Sequence, residues 1–321
     1  MSESSLDPID SLVSPRFSDP ATFFRTPWLR DGSAFDIALL GVPFDFSSNR
    51  AGTRHGPAEV REMSRLIRRF NSDGGASPFD QCRIADLGDV PVIPVDITRS
   101  VASIVKHIER IAASGATTVC VGGDHGVTYP VIKGLGWKQP LGIVHFDAHP
   151  DTYPDAWGDR YNHGTLLRRL VEEGLIDPKR SVSVGIRGTR FCLDDRDYHR
   201  ETGMRLISYD EFEEIGRART IEIIREVIGN EPTYLTFDID VLDPAYCVGT
   251  GAPEPGGLSM RDAQMIIRGF RGLNIVAGDV CEISPPLDIT NHTALNGANL
   301  AFEILCLVAD AVAKGKAKAG N

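Results

Sequence analysis

The stretch LGIVHFDAHPD, residues 141–151, decides how this sequence folds. Its first six residues are almost wholly apolar, which is typical of a strand buried on both faces of a parallel sheet. Asp147, His149 and Asp151 then follow at every second position. In an extended chain residues i, i+2 and i+4 share one face, whereas in a helix residue i+2 points away. The stretch therefore predicts a strand whose extended end presents three metal-friendly side chains on one face.

The rest of the chain repeats this kind of strand. Apolar, β-rich segments such as TTVCVGG (117–123) alternate with stretches such as ITRSVASIVKHIERIAAS (97–114), whose apolar residues recur at helical spacing. This alternation predicts an α/β protein, a three-layer α/β/α fold with a mainly parallel sheet of about eight strands. In such open sheets ligands bind beyond the carboxyl ends of the strands. Functional residues are therefore expected where strands stop.

The organisation of the chain predicts one main unit. We expect an N-terminal arm at residues 1–35, a single domain at 36–316 and a tail at 317–321. No internal repeat or linker rich in Pro, Gly or Ser interrupts that domain. The arm is expected to be irregular, and the last segment, AKGKAKAGN (313–321), to be frayed.

Composition narrows the classes of function. The net charge is −10 and the basic residues are scattered, which argues against nucleic acid as a partner. The apolar runs are shorter than the roughly 20 residues of a membrane span, and the N-terminus has neither the basic start nor the apolar core of a signal peptide. We therefore expect a cytoplasmic protein without a membrane partner. The six cysteines are dispersed, which favours reduced thiols.

Two further clusters resemble the one after residue 146. In FDIDVLDP, Asp238 and Asp240 repeat the two-residue step, and in VGGDHG, Asp124 and His125 end a strand. Each cluster alone has a simpler interpretation. Asp124 can be the N-cap of the next helix, with His125 an exposed residue of its first turn.

Taken together, the clusters place two imidazoles and four carboxylates at the same end of three strands. Crowding four carboxylates costs several kcal/mol unless cations neutralise them. Six ligands suit two ions about 3.5–4 Å apart, and oxygen and imidazole donors favour Mn, Fe, Co or Ni over a structural zinc site. The predicted ligands are His125, Asp147, His149, Asp151, Asp238 and Asp240. This pattern indicates metal-assisted hydrolysis, with a hydroxide available near neutral pH.

The order of the motifs resembles the ureohydrolase family, which includes arginases, agmatinases, guanidinobutyrases and guanidinopropionases. GGDH, HFDAHPD, FDIDVLDP, GTGAPEPGGLS and EISPPLD occur in the family's order between about residue 36 and residue 310. The resemblance implies an arginase-like fold and hydrolysis of a C–N bond in a guanidino compound, releasing urea, or a substituted urea, and an amine. It implies two divalent ions, with Mn²⁺ in first place and Ni²⁺ in second. It also implies a homo-oligomer, a trimer or hexamer, with a hetero-oligomer containing a related subunit as the alternative.

The resemblance also implies roles for single residues. His125, Asp147, Asp151 and Asp240 resemble the ligands of one ion together with the bridges, and His149 and Asp238 complete the other ion; the partition of Asp147, Asp151 and Asp240 stays open.

Three side chains have implied catalytic roles. Asp151 would hold the attacking hydroxide on line. His163, in YNHGTLLRRL, would contact substrate and shuttle a proton to the departing amine, although without the resemblance a surface cap is the simpler interpretation. Glu282, in CEISPPLD, would bind the guanidinium group of the substrate.

Four residues depart from the usual motifs of the agmatinase and guanidinobutyrase branch: Pro150, Cys247, Val248 and Ala252. Because Pro150 and Ala252 each remove a hydroxyl, the pocket is expected to be less polar than in relatives that bind carboxylate-tailed or amine-tailed guanidines. The hypothesis that follows is a small or alkylated guanidine, such as guanidine itself or a biguanide. The alternative is neutral drift in an ordinary guanidinobutyrase, with a guanidino acid or agmatine as substrate. Cys247 is by default a small loop residue.

Two other functions compete with a ureohydrolase. A non-catalytic scaffold subunit of a mixed oligomer would be revealed by lost ligands, and here all six are present. A zinc deacetylase on the same fold would need a single metal and typically a tandem His pair before the site, which this sequence lacks.

Overall fold

A single sheet organises the computed structural model, which describes residues 6–30, 35–46, 50–72, 75 and 77–319. The eight strands are β1 (Ile37–Val42), β2 (Ile84–Asp89), β3 (Thr117–Gly122), β4 (Leu141–Phe146), β5 (Ile176–Ile186), β6 (Arg205–Ser208), β7 (Thr233–Asp238) and β8 (Ile275–Cys281). The predicted mainly parallel sheet of about eight strands is confirmed.

The strands lie in the order β2-β1-β3-β8-β7-β4-β5-β6, and every neighbouring pair is parallel. Parallel strands cannot be joined by tight hairpins, so the chain crosses over a face of the sheet between strands. The described helices are α1 (Gly56–Ser64), α2 (Pro78–Gln81), α3 (Ile97–Ala113), α4 (Thr128–Leu135), α5 (Leu166–Glu172), α6 (Asp197–Thr202), α7 (Tyr209–Ile228), α8 (Met260–Arg268) and α9 (His292–Ala319).

Two hydrophobic cores separate the sheet from its helices. Successive strand residues point to opposite faces, so Leu39 of β1 packs in one core and Leu40 in the other. One core contains apolar side chains of α1, α7, α8 and α9, and the other contains those of α3, α4 and α5. The predicted three-layer α/β/α fold is confirmed. The domain boundaries at residues 36 and 316 stay predictions.

Helix α9 differs from what the sequence suggested. It continues to Ala319, so the frayed tail expected from residue 313 is wrong up to that point, and residues 320–321 lie outside the described residues. By length and composition alone α9 is apolar enough to cross a membrane, yet 72% of its most apolar window is buried inside the protein. Its apolar surface is therefore used in the core, against β8, α1 and α8.

The described part of the N-terminal arm packs on the core. Phe23 and Phe24 are 1% and 5% exposed. Trp28 forms an isolated bridge with Asp86, which lies in the edge strand β2. The arm therefore covers part of one sheet edge, a common way to shield unpaired backbone groups.

Candidate active site

The predicted site residues follow four strands that are neighbours at the centre of the sheet, in the order β3-β8-β7-β4. His125 follows β3, Asp147 follows β4, Asp238 ends β7 and Glu282 follows β8. Carboxyl ends of parallel strands meet at one edge of the sheet, so residues distant in sequence converge there. The backbone N–H of His125 donates to Oε1 of Glu282 at 2.8 Å, across 157 positions of sequence.

The turn after β3 positions His125. Asp124 caps it, since its Oδ1 accepts from the backbone N–H of Gly126 at 3.0 Å, which confirms the N-cap interpretation. Gly123 is needed for close approach, because a Cβ there would collide with the backbone of Phe44. The exposed position suggested for His125 is wrong, because its side chain is fully buried.

His125 lies against three of the predicted ligands. Its Nδ1 is 3.0 Å from Oδ2 of Asp147 and 3.2 Å from Oδ2 of both Asp151 and Asp238. None of these four residues is more than 3% exposed. We call them the His125 group, and one imidazole with three carboxylates is a suitable donor set for Mn, Fe, Co or Ni.

Asp147 also belongs to a second group. Nδ1 of His149 is 3.3 Å from Oδ1 of Asp147 and 3.0 Å from Oδ2 of Asp240, and these three residues form the His149 group. The two oxygens of Asp147 thus contact different imidazoles, as expected of a carboxylate that bridges two ions. Asp238 contacts His125, whereas the resemblance placed it with the ion of His149, and Asp240, which the sequence left open, contacts His149. The partition of these ligands between two ions stays a prediction.

The charges of the cluster favour cations. Burial, and then the charge of Asp147, raise the pKa of Asp151 to about 7. Burial and the neighbouring Asp240 raise the pKa of Asp238 well above its usual range. For His125 burial lowers the pKa, but hydrogen bonds to carboxylates outweigh it and the net pKa is raised. Buried carboxylates that resist ionisation, with oxygen and imidazole donors on both sides, fit a pair of divalent ions.

Two residues of the site have left-handed backbone conformations. Asp151 has a φ of 50° and Glu282 a φ of 65°. Such conformations cost a non-glycine residue about 1–3 kcal/mol and persist where surrounding contacts hold them. The carbonyl of Asp151 accepts from the backbone N–H of Leu167 at 3.1 Å, and the N–H of Glu282 donates to the carbonyl of Gly123 at 2.8 Å. The strain lies where two predicted catalytic carboxylates are turned towards the site.

A buried carboxylate supports His125 from behind. Nε2 of His125 is 2.8 Å from Oγ1 of Thr236, which donates to Oδ1 of Asp279 at 2.6 Å. Asp279 is fully buried and also accepts from the hydroxyls of Thr128 and Tyr234. With its proton on Nε2, His125 presents an unprotonated Nδ1 to the carboxylates, as a metal ligand requires. Threonine is here inserted into the carboxylate–histidine–metal relay common in metalloproteins.

His145 is a further residue of the site that was not among the predicted ligands. It stands one step before Asp147 in the same alternation, so the two-residue period already pointed to it. Its ring stacks on that of His125 with centroids 5.2 Å apart, and its Nε2 lies 2.9 Å from Oδ2 of Asp147. His145, His125, Asp147 and Asp151 lie close enough together to hold one ion.

A cavity of about 440 Å³ opens beside the cluster. His149, Asp151 and His163 line it, with Tyr153 and Trp157 among the aromatic side chains of the wall. Burial, and then the charge of His149, lower the pKa of His163 to about 4. His163 therefore lines the cavity, and its role stays a prediction.

Glu282 is buried next to His125. It is 6% exposed and does not appear among the residues that line the described cavity. Burial, and then the nearby Asp238 charge, raise its pKa well above the usual range, which indicates a carboxylate in need of a cationic partner.

The four departures from the usual motifs have different places. Pro150 and Ala252 line the cavity. Cys247 and Val248 do not line it. The thiol of Cys247 is buried and donates to the carbonyl of Leu242 at 3.3 Å, and Val248 is 53% exposed. The expected loss of polarity is only part of the picture, because three arginines also line the cavity: Arg187, Arg190 and Arg196.

Comparisons with known proteins agree with this geometry. A model of the Arginase family matches residues 35–307. The guanidinopropionase of Pseudomonas aeruginosa is 47% identical over 316 residues, which cover 98% of this chain and 99% of that protein. The mitochondrial agmatinase of Gallus gallus is 42% identical over 289 residues, covering 89% and 85%. The structure of proclavaminate amidino hydrolase from Streptomyces clavuligerus superposes with a TM-score of 0.89 at 37% identity, covering 93% of this chain and all of that one.

Fold, cluster and similarities together define an amidinohydrolase, an enzyme that hydrolyses C–N bonds in linear amidines. More specifically, the chain belongs to the arginase, or ureohydrolase, family of binuclear metal enzymes. The resemblance seen in its motifs is confirmed, and the His and Asp cluster that such enzymes need is present. The zinc deacetylase alternative is thereby excluded.

Proposed function

We propose that this amidinohydrolase uses two divalent ions to hydrolyse a guanidino acid, releasing urea, or a substituted urea, and an amine. The observation that carries the proposal is Asp147, whose two carboxylate oxygens contact two different imidazoles beside a cavity lined by His149 and Asp151. Similarity to a guanidinopropionase over 98% of the chain supports the substrate class.

The His125 group and the His149 group would hold the ions, with Mn²⁺ proposed first and Ni²⁺ second. When bound, such ions lower the pKa of water and supply a hydroxide nucleophile near neutral pH. The chain's own part is to set the positions of the reactants. Asp151, held in its left-handed conformation, accepts a hydrogen bond from the nucleophile and keeps it on line with the guanidinium carbon.

Two further side chains complete the proposed roles. Glu282 binds the planar guanidinium by charge-assisted hydrogen bonds, and this cation would satisfy its buried carboxylate. His163 is neutral, because burial lowers its pKa to about 4, so its imidazole can accept a proton and return it to the nitrogen of the leaving amine.

The wall of the cavity distinguishes the tails of candidate substrates. Arg190 and Arg196 supply two guanidinium groups, and burial followed by the charge of Arg190 lowers the pKa of Arg196. Two neighbouring cations favour a substrate with an anionic tail, as in a guanidino acid. Agmatine is the second candidate, because Asp195 also lines the cavity and its Oδ1 is buried without a hydrogen-bond partner among the described residues. Guanidine or a biguanide is the third, on the strength of Pro150 and Ala252.

Urea release tests the proposal. Purified protein is reconstituted separately with Mn²⁺ and Ni²⁺ and given 3-guanidinopropanoate, 4-guanidinobutanoate, agmatine, arginine, guanidine and dimethylbiguanide. We expect a guanidino acid to be hydrolysed fastest, Asp240→Asn to abolish turnover, and Asp243→Asn, in the neighbouring turn and outside both groups, to retain it. Silence on every substrate with both ions bound would overturn the proposal and favour the scaffold subunit.

Matched variants then test which residues of the cavity recognise the tail of the substrate. Arg196→Gln is expected to raise KM for the guanidino acid at least tenfold and to spare agmatine, since a charged hydrogen bond is worth about 1.5–3 kcal/mol. Asp195→Asn is expected to spare the guanidino acid. If the guanidino acid depends on Asp195 and not on Arg196, the assignment of the tail is wrong.

The remaining expectations about partners and location also stay proposals. We propose a cytoplasmic homo-oligomer, a trimer or hexamer, without nucleic-acid or membrane partners, and a hetero-oligomer with a related subunit as the alternative. Light scattering of the purified protein, alone and mixed with a related subunit, separates the two assemblies.

A further inference from the structure

A column of buried polar side chains runs from Asp147 away from the substrate cavity. Nε2 of His145 lies 2.9 Å from Oδ2 of Asp147, and Nδ1 of His145 lies 3.0 Å from Oγ of Ser183. Oγ of Ser183 lies 2.9 Å from Nε2 of His199. His145 and Ser183 are fully buried, and His199 is 2% exposed. The register of β4 and β5 pairs His145 with Ser183, so the contact is built into the sheet.

The chemistry of the column determines where its protons lie. The carboxylate of Asp147 can only accept, so His145 must carry a proton on Nε2. When the ring of His145 is neutral, its Nδ1 then accepts from the hydroxyl of Ser183. Because this hydroxyl donates its single hydrogen to His145, its oxygen accepts from Nε2–H of His199. One order of donors therefore satisfies every contact from His199 to Asp147.

The far end of the column reaches a second cavity. This cavity, of about 630 Å³, is lined by His199, Met204 and basic side chains such as Lys179 and Arg205. Nδ1 of His199 is buried and has no hydrogen-bond partner among the described residues. In the proton order derived above this nitrogen is a bare acceptor. It can therefore take a hydrogen bond from water in the cavity without disturbing the column.

The position of the His145 proton matters because His145 is a potential competitor for metal. Its ring nitrogen lies with the ligand atoms of His125, Asp147 and Asp151 within 4.8 Å of one another. A nitrogen that carries a proton has no lone pair for an ion. With the proton moved to Nδ1, Nε2 would face Asp147 as a second ligand in the same space.

We propose that Ser183 and His199 are positioning residues that keep the proton of His145 on Nε2, so that His145 orients Asp147 and stays outside the coordination sphere. The inference rests on the proposed metal site for its consequence but not for its direct test. Outer hydrogen-bond partners of metal ligands typically change metal affinity 10–100-fold when removed.

Direct observation of the ring tests the proposal. ¹⁵N-labelled histidine in the metal-free protein reports by NMR which nitrogen of His145 is protonated. We expect the Nε2–H form in the wild type and in Ser183→Thr, and a shift towards the Nδ1–H form in Ser183→Ala. Gln can donate where Nε2 of His199 does, so His199→Gln is expected to resemble the wild type and His199→Leu to resemble Ser183→Ala.

Metal binding supplies the second readout. In Ser183→Ala we expect the affinity for Mn²⁺, measured by chelator competition, to change at least tenfold, and the visible spectrum of the Co²⁺-loaded protein to show an added nitrogen ligand. Ser181→Ala is the matched control, because Ser181 lies on the same strand, is fully buried, and donates only to the carbonyl of Asp177. An unchanged His145 tautomer in Ser183→Ala would overturn the inference, and so would an equal loss of affinity in Ser181→Ala. Neither result depends on which substrate is hydrolysed.

Discussion

Replacing Thr236 by Val should loosen the metal site without touching a metal ligand. The substitution nearly preserves the shape of the side chain but removes the hydroxyl that lies 2.8 Å from Nε2 of His125 and 2.6 Å from Oδ1 of Asp279. It leaves a buried N–H and a buried carboxylate lone pair unpaired, and a buried group without its partner costs about 1–3 kcal/mol. Loss of an outer hydrogen bond to a metal-binding His typically weakens metal binding 10–100-fold, or about 1.4–2.8 kcal/mol. This range agrees with the cost of leaving the two buried groups unpaired.

The assay is the dissociation constant for Mn²⁺, measured by competition with a chelator and checked by metal analysis after gel filtration. Thr233→Val is the control, because Thr233 lies on the same strand, is equally buried, and donates only to the carbonyl of Glu231. We expect Thr236→Val to weaken binding 10–100-fold while Thr233→Val stays within about twofold. Wild-type affinity in Thr236→Val, or the same loss in both variants, would refute the role of the Asp279 relay.

Three further results are expected. Glu282→Gln keeps the acceptor for the backbone of His125 but loses the charge, so kcat/KM for the guanidino acid should fall about 10–100-fold with metal content unchanged, as measured by urea release and metal analysis. Since burial raises the pKa of Asp151 to about 7, metal binding near that pH should displace a proton; calorimetry in buffers of different ionisation enthalpy checks this, and a buffer-independent heat would contradict it. Burial lowers the pKa of His199 to about 3, below the value of about 6.5 in the unfolded chain, so between these values the unfolded state binds the extra proton and stability falls as pH falls. The stability advantage of the wild type over His199→Gln should therefore shrink on acidification by up to about 1.4 kcal/mol per pH unit, as seen in urea unfolding at several pH values.

The sequence was sufficient to predict the parallel sheet and the meeting of the site residues at one edge of it. Apolar runs of strand length separated by helical periods predicted all eight strands, because burial on both faces leaves a continuous apolar signature. The alternation of donors after residue 146 predicted a shared face. The parallel topology then required the residues after β3, β4, β7 and β8 to meet at one edge.

Other features depend on contacts that periodicity does not encode. Asp238 contacts His125 and Asp240 contacts His149. These contacts depend on the short turn Ile239–Val241 that follows β7, and the spacing of the two residues in the sequence does not specify that turn. The sequence did not distinguish Asp279 from other strand residues, whereas the structure surrounds it with three hydroxyls, one from α4 and two from the neighbouring strand β7. Helix α9 gave no amphipathic signal, since it is apolar on most sides and buried along most of its length.

The place of β8 in the sheet has a consequence for how the protein is made. β8 is the last strand to be synthesised, yet it lies between β3 and β7 and joins the two halves of the sheet. Until residue 281 has left the ribosome, β3 and β7 have open edges, and His125 is not held against the carboxylates that follow β4 and β7. Such long-range pairing forms slowly and leaves strand edges exposed to aggregation in the meantime. A chain shortened before β8 should therefore be insoluble and unable to retain Mn²⁺, although it contains all six proposed ligands.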